Sequence, residues 1–251
     1  MICRFGSWSR DPMRVVSLVP SLTETVFDLG ITPLGRTPWC IKPSNLVADV
    51  KVVGGTKTPN MNKIYSLKPD LVLLDKEENP KAVHDELLDE GIEVFVCTVE
   101  HPKDVPTMLQ ELSDKLEVDA TKQILACEQA LLDTEGRDSP SVIPLIWHDP
   151  LMAVSAEKYA GGMLTHLGFH VPTFDSPYPV ITPETINERG IEYLLLSSEP
   201  HDFSMEEGEL FASLCDPEPN CIKIDGEALT WFGTRTAEGL HILQEQLKAI
   251  R

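Results

Sequence analysis

The sequence predicts an α/β protein built as two Rossmann-like α/β lobes joined by a long backbone helix, with a ligand cleft between the lobes. Three observations carry that expectation. Short β-branched or all-apolar runs alternate with amphipathic stretches over the first hundred residues, the pattern of βα units on a parallel sheet. Strand signals then disappear over about residues 104–135, where apolar side chains recur at helical spacing (Leu109, Leu112, Leu116; Ile124, Leu125, Leu131, Leu132). A second strand and helix series begins directly after the turn-forming stretch GRDSP. At 251 residues and 42% hydrophobic content, the chain can bury one large core or two modest ones.

The elements follow in order. Residues 14–19 read as a buried strand, and Ser21 with Glu24 has capping-box spacing for a helix that stops at Gly30. Residues 33–36 and 52–54 read as short strands, 61–67 as a short helix and 71–74 (LVLL) as a central strand, apolar because both its faces are covered. A helix over 80–90 closes at Gly91, and a strand follows over 93–97. The later part of the connector, 119–135, would extend about 25 Å as a helix, which predicts a stiff joint. Beyond it come a strand at 142–147, helices at 157–167 (stopped by Gly168) and 183–188, a strand at 193–197, a helix at 205–214, a strand at 221–225 and a last helix at 236–250.

These boundaries divide the chain into an extension (1–12), an N-terminal lobe (13–102), a connecting helical segment (103–138) and a C-terminal lobe (139–251). The first twelve residues are polar, whereas a secretory signal needs an apolar run of about 7–15 residues. Met13 is therefore read as the natural start and the protein as cytoplasmic, or periplasmic if the true precursor differs. The six cysteines show none of the two-residue spacings of zinc or redox sites, so free thiols are expected, with Cys215 and Cys221 near enough in sequence to pair.

Charge narrows the partners. With 21 Lys+Arg against 40 Asp+Glu, the net charge of −19 repels nucleic acid and anionic lipid. No segment reaches the roughly 18 apolar residues of a membrane span.

Ligands of open α/β sheets bind beyond the carboxyl ends of the strands, and three tryptophans fall there: Trp39, Trp147 and Trp231. Either they are core residues or they line an aromatic cleft. Around them lie Phe232, and the polar groups His148, Asp149, Glu199, His201, Asp202 and Arg235. An arginine beside aromatics suits an anionic ligand, although Arg235 has many acidic residues available as a salt-bridge partner. No metal site is expected, because His166 and His170 are separated by a helix-ending glycine and His148 with Asp149 are adjacent; His148 and His201 could meet across loops of one lobe. There is no serine elbow and no zincin motif, and GGT at 54–56 is too short to cradle phosphate.

The segments RVVSLVPSLTETVFDLG, ITPLGRTPWC, and VGG with NMNKIYSLKPDLVLL resemble the N-terminal lobe of class III substrate-binding proteins, the helical-backbone receptors of cobalamin and iron chelates. DPLMAVSAEKYAGGMLTHLG, YPVITPETI and DGEALTWFGTR resemble the second lobe, so nearly all of 14–250 is covered. The resemblance implies a non-catalytic receptor for a bulky metal chelate such as a corrinoid, haem or ferric siderophore. Trp39, Met152 and Trp231 would face the ligand; a further ligand-facing tryptophan of such receptors is replaced by Thr56 or Lys57. The docking glutamates used on an ABC permease read Asn62 and Gly233, which argues against that partner. The alternatives are a metal-dependent or chelatase-like enzyme on the same fold, with His148 or His201 handling metal or protons, and an intracellular sensor or scaffold. Whether His148, His201 and a carboxylate converge within coordination distance, about 2.0–2.2 Å from a common metal, separates the enzyme from the receptor.

Overall fold

The all-apolar run LVLL does become a central strand. In the computed structural model, which describes residues 13–251, Leu71–Asp75 is fully buried and is flanked on both sides by parallel neighbours. The expectations for residues 1–12, including Cys3 and Trp8, lie outside the described residues. The chain forms two units, 1–97 and 98–251.

The first unit carries β1 (Val15–Ser17), α1 (Pro20–Asp28), β2 (Gly35–Arg36), α2 (Ser44–Val47), β3 (Lys51–Val52), α3 (Met61–Ser66), β4 (Leu71–Asp75), α4 (Lys81–Asp89) and β5 (Glu93–Cys97). Its sheet is wholly parallel in the order β3-β2-β1-β4-β5. Val16, Leu18, Ile64, Val72, Leu74 and Leu87 form its main core, the apolar faces of β1 and β4 closing against α3 and α4.

The Ser21–Glu24 capping box is not formed. Pro20, whose ring fixes the helical φ, opens α1 two residues earlier, so Val19 is the N-cap, no side chain caps the helix, and Ser21 is buried in its first turn. The stops at Gly30 and Gly91 are as expected, with φ of 82° and 73°. Beyond β4, Asp75 Oδ1 accepts the backbone N–H groups of Glu77 (2.9 Å) and Glu78 (3.0 Å). Asn79 receives Asp75 N–H on its Oδ1 and donates its amide to the Thr56 carbonyl.

The predicted connector belongs to the second unit, so the boundary falls after Cys97 rather than at 102. It consists of a 3-10 turn (Pro102–Asp104), α5 (Val105–Leu116) and α6 (Thr121–Thr134), interrupted where Glu117 adopts a left-handed conformation (φ 54°). The buried stripe of α6 is Cys127, Ala130 and Thr134; Leu125 and Leu132, part of the predicted apolar pattern, are 57% and 74% exposed.

The rest of this unit comprises β6 (Val142–His148), β7 (Leu151–Ala153), α7 (Tyr159–His166), α8 (Pro183–Arg189), β8 (Tyr193–Ser197), α9 (Met205–Ala212), β9 (Asn220–Ile224), α10 (Gly226–Thr230) and α11 (Thr236–Gln246). The sheet order is β7-β6-β8-β9, with β6, β8 and β9 parallel and β7 antiparallel at the edge. Neither β7 nor α10 is foreseen in the sequence reading, and α11 stops at Gln246 rather than 250. Ile143, Leu145, Leu194, Leu196, Phe203 and Ile186 lead its core.

Candidate functional site

The register of β6 and β8 builds the site. Leu145 pairs with Leu196, so β6 runs two residues further than β8 and leaves Trp147 and His148 at its carboxyl end, beside the turn that follows β8. That turn is locked locally: the Ser197 hydroxyl donates to the Glu199 carbonyl (2.6 Å) and accepts the Glu199 N–H (3.2 Å). The chain then delivers His201 next to His148 and buries Phe203 in the core as an anchor.

Four rings meet here. The His148 and His201 imidazoles stack with centroids 4.1 Å apart and planes 22° from parallel. Phe203 meets His201 edge-on at 4.6 Å, and Trp147 lies 6.4 Å from His201 and 5.7 Å from His148. Trp147 is 41% exposed, its indole N–H donates to the Asp149 carbonyl, and Met152 of β7 pairs with it across the strands. Glu207 completes the group. Ser204 is the N-cap of α9, and its N–H and hydroxyl donate to Glu207 Oε2 (2.7 and 2.8 Å) in a capping box. Glu207 Oε1 is thereby left facing His201 Nε2 at 3.0 Å. The bonds from the Ser204 backbone and hydroxyl, then His201, hold the carboxyl at about 2, below its ordinary 4.5.

The other expected residues are placed differently. Trp231 and Phe232 are buried after α10, each 8% exposed. Phe232 meets Tyr159 edge-on at 5.9 Å, and the guanidinium of Arg235 lies 5.5 Å from the Trp231 ring and 3.5 Å from Glu227. Arg235 thus stands in the salt bridge weighed above, in a packed aromatic setting. Trp39 belongs to the first unit, in the turn after β2, and is 64% exposed. Asp202 is paired with Lys223 at 2.8 Å. Thr56 and Lys57 are drawn into the Asp75 turn, Thr56 through its carbonyl and Lys57 by donating to the Glu77 carbonyl.

Sequence reasoning missed Glu207. Its signal was available, because Ser204 and Glu207 have the S-x-x-E spacing that closes a capping box and so fixes the carboxylate at the helix start.

Two α/β units lie in one chain, each with a largely parallel sheet, and α5 and α6 stand between the two sheets in sequence. Sequence comparison finds a match in the first part of the chain: residues 15–121 match the family described as periplasmic binding protein. The chain is 27% identical over 198 residues to the vitamin B12-binding protein of Salmonella typhimurium, covering 76% of this chain and 74% of the relative. It is 25% identical to the Fe(3+)-citrate-binding protein YfmC of Bacillus subtilis over 76% of this chain and 64% of that one. Among solved structures, the periplasmic heme-binding protein HutB of Vibrio cholerae superposes with a TM-score of 0.80 at 18% identity, covering 94% of this chain and 99% of that one.

Proposed function

We propose that this protein is a non-catalytic receptor for a bulky metal chelate of the corrinoid, haem or ferric-complex type. The observation that carries the reading is the clustering of Trp147 and His148, at the carboxyl end of β6, with His201 after β8, where α/β sheets take ligands, in a chain whose relatives are named as binding proteins for such compounds. An exposed indole beside stacked imidazoles offers flat, polarizable surface to a planar ring. Binding of this kind needs no bond to be made or broken.

Tryptophan fluorescence titrated with cyanocobalamin, haemin or ferric citrate tests it, because a coloured chelate against Trp147 quenches emission. Saturable quenching that weakens in Trp147→Ala supports the reading. Linear quenching identical in both proteins contradicts it.

Docking to a permease of the usual kind is not part of this proposal. Asn62 is exposed and neutral on α3, while Gly233 is buried with φ of 94°, a conformation that a glutamate would adopt only under strain. Among the described residues, Cys40, Cys97, Cys127, Cys215 and Cys221 form no disulfide. Among the described residues, no helix is long and apolar enough to cross a membrane.

A further inference from the structure

We propose that His148, His201 and Glu207 form a binding site for a bare divalent transition-metal ion, held by this chain's own side chains and independent of any chelate. One ligating atom from each residue lies within 4.8 Å of the other two. Metal–ligand distances of about 2.0–2.2 Å put tetrahedral ligand atoms about 3.3–3.6 Å apart. The His201 Nε2 to Glu207 Oε1 separation of 3.0 Å and the 4.8 Å limit bracket that spacing. Closing the trio onto one ion requires side-chain rotation of His148, which is exposed at the end of β6, and a slight opening of the His201–Glu207 pair.

The ligands are also held from behind. Glu207 Oε2 is engaged by Ser204, so Oε1 is the oxygen presented. The His201 ring is fixed edge-on by buried Phe203. Such support of first ligands by their neighbours is what orients metal sites. Two imidazoles and one carboxylate select zinc, cobalt, nickel or copper over magnesium or calcium. Three protein ligands leave a fourth position open to water or a donor group, the arrangement of a working site rather than a closed structural one.

The test is titration of the metal-stripped full chain with cobalt(II), read by its visible d–d absorption and by competition with zinc. One equivalent should bind with tetrahedral bands and no thiolate charge-transfer band, excess magnesium should not displace it, and His148→Ala and Glu207→Gln should each weaken it at least tenfold. His148 is exposed and Gln at position 207 is compatible with the capping box, so both variants should fold, as circular dichroism would verify. Absence of binding, a charge-transfer band from cysteine, or wild-type affinity in both variants would overturn the proposal. Cyanocobalamin or haemin binding, measured separately, keeps its fate distinct from that of the receptor reading.

Discussion

The imidazole of His148 lies over that of His201, centroids 4.1 Å apart, although 52 residues of chain lie between them. Their meeting follows from strand register. β6 and β8 are parallel neighbours, and residues just past their carboxyl ends are adjacent whatever the length of the crossover between them.

The two tryptophans of the second unit should respond oppositely to truncation. Trp231 is buried beside Arg235, so Trp231→Ala should cost about 3–5 kcal/mol of stability in denaturant melts. Trp147 is exposed, so Trp147→Ala should change stability by less than about 1 kcal/mol while weakening chelate binding by about 1–3 kcal/mol. Equal stability losses would show that Trp147 is also a packing residue.

Asp75 makes stability depend on pH with a sign opposite to the usual carboxylate. Burial raises its pKa from 3.8 to about 6, against the lowering effect of the Glu77 and Glu78 N–H groups. The folded protein therefore holds this proton more tightly than the unfolded chain. The resulting stabilisation is complete below about pH 4 and is lost as pH rises through 6. Asp75→Asn keeps an acceptor for both N–H groups and should gain about 1–3 kcal/mol at pH 7, with a flatter profile between pH 4 and 6 in urea melts. A loss of stability at pH 7 would show that the charged form is needed.

Gly226 sets the approach of α10 to the turn after β8. A Cβ there would lie 2.4 Å from the Glu199 backbone nitrogen and 2.7 Å from the Ser197 hydroxyl. Gly226→Ala should cost about 1–3 kcal/mol and, by displacing that turn, weaken whatever His201 binds. Unchanged thermal melting would mean that the turn yields freely.

Burial holds the thiols of Cys127 and Cys221 in check. The Cys127 thiol is pushed up to about 12 and Cys221 to about 11, mainly by desolvation. In native protein at pH 8, Cys127 and Cys221 should react slowly with a thiol reagent, whereas protein unfolded without reductant should titrate all six cysteines. Recovery of fewer than six would indicate a disulfide and an oxidising environment.

Much of the fold was legible because it is written locally. The β4 run LVLL, the β5 segment 93–97 and the helix stops at Gly30, Gly91 and Gly168 each depend on neighbours in sequence. Short elements were not: β7 is three residues long and depends on pairing with β6, and α10 has five residues. The helix start at Pro20 was misplaced because two local signals competed, and proline geometry prevailed over the Ser21 spacing. Of the residues that the sequence reading singles out near strand ends, Trp147, His148 and His201 are the ones the second unit brings together. The exposure of Trp147 against the burial of Trp231 was not legible, since both indoles follow strands and only packing distinguishes them.

Native mass spectrometry of the full chain with cyanocobalamin, haemin and ferric citrate, each supplied as the intact chelate, most directly tests the receptor reading. At least one chelate should be retained at one per chain, and Trp147→Ala should retain less of it under the same conditions. Failure to retain any of the three at concentrations where a known chelate receptor is saturated, with the protein folded by circular dichroism, would contradict it.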